Sequence, residues 1–153
     1  MHLPPESHAL VSALGESVGE ASLQMDDEGL AFLPLSNEFF LHIQADPERR
    51  CFIAFAVVGS MPAQPPVRLL KRLLQANRFW RETAGATLSL DEEQPPRLVL
   101  ADRHDWEGLD QDEFVERINQ FIDFLHEARS WLEEPESAQD PGWQPAALGH
   151  SLA

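Results

Sequence analysis

At 153 residues and 43% hydrophobic, the chain has room for one domain with a true core and is too apolar for a mostly disordered protein. No run approaches the roughly 20 apolar residues a membrane-spanning helix requires, so membrane insertion is not expected. A formal charge of −15 argues against a phosphate-neutralising surface, and nucleic acid is not an expected partner.

The opening MHLPPESHAL has no basic region ahead of an apolar segment, so no secretory signal is expected. Pro4 and Pro5 precede a helix predicted over 6–18, with Leu10, Leu14 and Val18 recurring every four residues. Gly15 and Gly19 weaken it, because an interior glycine costs about 1 kcal/mol against alanine. The turn Asp26-Asp27-Glu28-Gly29 leads into a strand over 30–35, whose Pro34 suits an edge or a bulge. Alternation over 39–45 and a run apolar on both faces over 51–58 predict two more strands in an antiparallel meander. Cys51, the single cysteine, sits in that run and reads as a small buried hydrophobe. A proline-rich loop over 59–66 precedes the second helix, which the spacing carries as far as Trp80. Gly85 is placed to supply a left-handed cap. Strands over 86–90 and 97–102 then form a hairpin. Asp110 and Glu113 have capping-box spacing ahead of a third helix, in which Phe114, Ile118, Phe121, Leu125, Ala128 and Leu132 recur to 132. The fold class is therefore α+β: a five-stranded antiparallel sheet flanked by three helices, in the order αβββαββα. One domain covers 1–134, and 135–153, rich in Pro, Gly, Gln, Ser and Ala, reads as a flexible tail.

Chemistry-bearing motifs are sparse. Histidines at positions 2, 8, 42, 104, 126 and 150 lack metal-ligand spacing, and there is no H-E-x-x-H or C-x-x-C. Phosphate-binding glycine motifs and a G-x-S-x-G elbow are absent as well. His104, Asp105 and Glu107 come nearest to a constellation but read as a solvated loop. Asp91-Glu92-Glu93 lacks the spaced oxygens of a calcium loop and reads as a hairpin turn. The expectation is no enzyme, no metal and no cofactor.

The second helix is the most informative stretch. Leu69, Leu70, Leu73, Leu74, Ala76 and Trp80 cover more than the single stripe a helix needs to sit on one sheet. The surplus predicts a second contact, most simply a copy of the helix across a dimer axis, with Asn77 in the same interface. Arg68, Lys71, Arg72, Arg78 and Arg81 cluster here, while acids dominate 82–140. An acidic surface of this kind can steer a basic partner segment.

Residues 69–93 also resemble the signature region of the CesT (Tir chaperone) family of acidic, dimeric type III secretion chaperones. Asn77, Phe79, Trp80, Gly85, Ala86, Thr87, Leu88, Leu90 and Asp91 fall where an LLxANxFW…GATLxLD pattern places them. The resemblance covers roughly residues 9–133, is specific over 69–91 and around Glu107-Gly108-Leu109, and departs from the family in a longer C-terminal tail. It implies a cytoplasmic bacterial homodimer without cofactor. Such a dimer binds an N-terminal segment of a secreted effector, keeps it extended and delivers it to the export ATPase. An extended client needs an open sheet edge and apolar grooves. The set Leu10, Leu14, Val18, Leu30, Phe32, Leu33, Leu35 and Phe40 offers more apolar surface than one core requires. Two alternatives remain open at this point: a same-fold protein that sequesters a secretion regulator, and a small-ligand or enzymatic α+β domain, which would need an enclosed pocket with convergent polar groups.

Overall fold

The computed structural model describes residues 2–36 and 38–134. The expected tail, 135–153, lies outside them. Three helices and five strands follow the expected order: α1 (Pro5–Ser17), β1 (Leu30–Pro34), β2 (Phe40–Asp46), β3 (Cys51–Ser60), α2 (Val67–Ala76), β4 (Thr87–Leu90), β5 (Arg97–Asp105) and α3 (Gln111–Leu132). The sheet order is β1-β2-β3-β5-β4, and every neighbouring pair is antiparallel. Pro34 therefore sits on an edge strand, where its missing N–H costs no ladder bond.

α1 begins at Pro5, whose fixed φ suits a first helical position. Gly15 is buried because the chain returns over it: Glu20 N–H donates to the Gly15 carbonyl at 2.8 Å. A Cβ at Gly15 would lie 2.5 Å from the Glu20 carbonyl oxygen and 2.9 Å from Leu23 Cβ. We predict that Gly15→Ala lowers stability by about 1–3 kcal/mol, since overpacking against backbone outweighs alanine's helix propensity. A denaturation midpoint at or above wild type would refute this.

α3 covers one face of the sheet, and α1 packs against α3. That inner face carries Ala31 and Leu33, Leu41 and Ile43, Phe52, Ala54 and Ala56, and Leu98 and Leu100, all under 3% exposed. α3 meets it with Phe114, Ile118, Phe121, Leu125 and Ala128, at helical spacing and equally buried. The Asp110 side chain makes no cap bond, so the expected capping box does not form; its backbone carbonyl accepts from Phe114 N–H at 2.9 Å instead. Arg129, near the end of α3, donates to the Val58 carbonyl and to Glu38, both at 2.8 Å, and to Glu133 at 3.0 Å.

Two element boundaries also need correction. β5 continues past residue 102 to Asp105, because it pairs with β3 back to Cys51. His104 and Asp105 are thus strand residues and not a solvated loop. His104 is 1% exposed, edge-on to Phe114, with Nε2 3.2 Å from Asp102 Oδ2 but not aligned for a hydrogen bond. α2 ends at Ala76 and not at Trp80. A single 3₁₀ turn, Arg78–Trp80, follows with Phe79 and Trp80 in the left-handed region (φ 57° and 55°). Gly85, at φ 99°, closes the turn into β4, its N–H donating to the Trp80 carbonyl at 2.9 Å.

Candidate functional site

Among the described residues no group of three or more His, Cys, Asp and Glu could hold a metal ion. Cys51 is fully buried and burial pushes its thiol pKa up, away from a reactive thiolate. What the fold does present is apolar surface.

The outer face of the sheet, opposite α3, carries a row of rings fixed by strand register. Phe32 pairs with His42, and His42 with Phe55, so three side chains stand side by side. Phe32 is edge-on to His42 (5.2 Å) and stacked on Phe40 (5.2 Å), and His42 stacks on Phe55 at 4.8 Å and 9°. Burial lowers the pKa of His42, so at neutral pH the ring is uncharged and belongs to the apolar surface. The same row continues through Ala101 to Thr87, whose hydroxyl accepts from the Trp80 indole N–H at 3.1 Å. Phe32 and Phe40 are each 47% exposed.

The eight residues expected to form a groove divide accordingly. Val18, Phe32 and Phe40 are exposed, and Leu30 and Leu35 are half-buried. Leu10, Leu14 and Leu33 are in the protein's own core, because the α1 stripe and the alternate β1 position point toward the inner layer. Leu10 and Leu14 line no open groove, and Leu33, 2% exposed, meets one only at the β1 edge. His42 and Phe55 were missed. Their signal is alternation within β2 and β3, which becomes a site only once the register aligns them.

The two sheet edges differ. On β4 the outward N–H and C=O of Leu88 are both taken by the Asn77 side chain, at 2.8 Å each. Asn77 thus acts as a one-residue strand at this edge, an intramolecular role beside the interface contact expected of it. On β1, Leu30 is tied to Asp26 through its N–H (to Oδ1) and its C=O (from Asp26 N–H), both at 2.9 Å. Alternation along the strand turns Phe32 outward in the same sense, and Pro34 offers a carbonyl but no N–H. The open edge is therefore centred on one residue, Phe32.

α2 buries Leu69, Leu73 and Ala76 against the protomer, while Leu70 (36%) and Leu74 (74%) face outward beside Phe79 (76%) and Trp80 (55%). The seven residues expected at a dimer interface therefore split between core and surface, and Phe79 joins the exposed set. Behind them Arg72 pairs with Glu82 and stacks on Trp131 at 4.1 Å, tying α2 to α3.

This fold is shared with chains of the ExsC–ExsE complex (TM-score 0.71, 20% identity, 86% of this chain and 97% of that one). It is also shared with the HopA1–SchA chaperone–effector complex (0.65, 19%, 82% and 94%). The Yersinia pestis type III secretion chaperone SycH in complex with a fragment of YscM2 is similar too (0.63, 14%, 79% and 98%). In sequence, a protein of Chlamydia pneumoniae is 25% identical over 114 residues, which are 74% of this chain and 83% of the relative. The model of the Tir chaperone protein (CesT) family matches residues 9–129, from α1 to the last turns of α3, and the chain belongs to that family.

Proposed function

We propose that this protein is a cytoplasmic, homodimeric chaperone that holds an N-terminal segment of a type III secreted effector extended for export, without cofactor or turnover. The observation that carries this reading is the uncovered ring row Phe40, Phe32, His42 and Phe55 beside a sheet edge open at Phe32. An extended segment needs those two things together: backbone groups to pair with and apolar surface for alternate side chains. Family membership supports the same reading, and the secretion ATPase is the natural recipient of the loaded complex. No helix of the described residues is long and apolar enough to cross a membrane.

Phe32→Asp tests it. The side chain is half exposed, so the fold tolerates the change, while an apolar contact at the centre of the site is lost. Affinity for a co-purifying effector should fall by about 2 kcal/mol, roughly thirtyfold, the scale of an interface hot spot. Titration calorimetry on wild type should also show a negative heat-capacity change with unfavourable entropy. Recovery of only folded cytoplasmic partners from the host, or unaltered effector affinity in a folded Phe32→Asp variant, would sink the reading.

A further inference from the structure

Beside the open edge of β1 lies a cavity of about 370 Å³. Leu30, Phe32, Leu33 and Pro34 wall one side, and Glu20, Ser22, Leu23, Gln24 and Asp26 from the α1–β1 connection wall the other. It has two chemical characters: an apolar strand wall and an outer wall bearing two carboxylates and no cationic side chain. Asp26 uses Oδ1 to accept from Glu28 and Leu30 N–H, both at 2.9 Å, so its own turn holds this carboxylate in place at the cavity. The backbone limits what can pair here. Leu30 is already bonded to Asp26 and Pro34 has no N–H, so an added strand is registered on Phe32 and is only a few residues long.

We propose that this cavity selects the client segment by charge: the short stretch paired at Phe32 places an arginine or lysine between Glu20 and Asp26, with apolar neighbours directed onto Phe32 and Phe40. This deepens, and rests on, the reading of the protein as an effector chaperone. The charge complementarity is local. A cationic side chain entering the cavity keeps its stem against Leu23, Leu33 and Pro34 while its head reaches the carboxylates, the way long basic side chains ordinarily divide themselves between apolar surface and water. An acidic side chain in the same register would face two like charges, so the cavity rejects as well as attracts.

The test uses capped, fluorescently labelled decapeptides of alternating valine and serine, in which one central residue is arginine, glutamine or glutamate. Binding is read by anisotropy on the full-length protein at 50 and 300 mM salt. On wild type the arginine peptide should bind about tenfold tighter than the glutamate peptide at low salt, with the gap narrowing at high salt, as expected for two partly exposed ion pairs. In the double variant Glu20→Gln, Asp26→Asn the preference should disappear, while the glutamine peptide binds as before. Asparagine keeps the side-chain oxygen that accepts from Glu28 and Leu30, so the turn survives. Equal binding of all three peptides to wild type, or a preference that persists in the double variant, overturns charge selection and leaves the chaperone reading standing. Binding of no peptide, together with failure of the Phe32→Asp test on a co-purified effector, overturns both.

Discussion

Leu14→Asp should leave a protein that does not fold, and no chaperone with merely weakened binding. Leu14 is fully buried between α1 and the rest of the core. Removing its side chain from such a site costs about 2–5 kcal/mol. An uncompensated carboxylate left there costs about 3–5 kcal/mol more. Against a total stability of roughly 5–15 kcal/mol for a domain of this kind, the two together consume most or all of the margin. Circular dichroism should show no cooperative thermal transition. A variant that melts like wild type would mean that Leu14 reaches solvent or a partner, which this fold denies it.

Leu74→Glu should do the opposite: leave the protomer folded and separate it from its partner. Leu74 is 74% exposed and stands with Leu70, Phe79 and Trp80 on the outward side of α2 and the turn after it. If that patch is the dimer contact, a carboxylate at its centre weakens association by about 2 kcal/mol or more, roughly thirtyfold or greater. Sedimentation should show wild-type dimer and variant monomer at the same micromolar concentration, with superimposable circular dichroism. Leu73→Glu is the wrong probe, because Leu73 is 7% exposed within the protomer and its loss reports folding. A wild-type monomer at that concentration would remove the dimer from the proposal altogether.

Helix and strand periodicity carried most of the architecture, because each element packs one face on one core and that requirement writes itself into apolar spacing. α3 is the clearest case: Phe114, Ile118, Phe121, Leu125 and Ala128 were legible and are all buried. The end of α2 was not legible. Arg78, Phe79 and Trp80 are compatible with helix, and what stops it is Asn77 reaching eleven residues ahead to the Leu88 peptide, a non-local bond no window contains. The end of β5 is hidden for a similar reason: Arg103, His104 and Asp105 look polar, yet pairing with β3 makes them strand. The surface residues were legible as a set and not individually. Spacing shows that α1, β1 and α2 carry surplus apolar side chains, but which leucines face the core depends on where α3 and the sheet lie. Hence Leu10, Leu14 and Leu33 fell inside, while His42 and Phe55 surfaced through register alone.

The reach of Arg129 bears on the order in which this protein is assembled. Its guanidinium fastens Val58 and Glu38, residues 71 and 91 positions earlier in the chain. A ribosome emits the aromatic hairpin of β1 and β2 long before it emits the residue that latches it. Until α3 arrives, the meander of β1, β2 and β3 exposes Leu33, Leu41, Ile43 and Phe52, the inner-face residues that this helix buries in the finished fold. A protein proposed to keep other chains' apolar segments covered thus carries, for the length of its own synthesis, an uncovered apolar face of its own, and the last helix is what closes it.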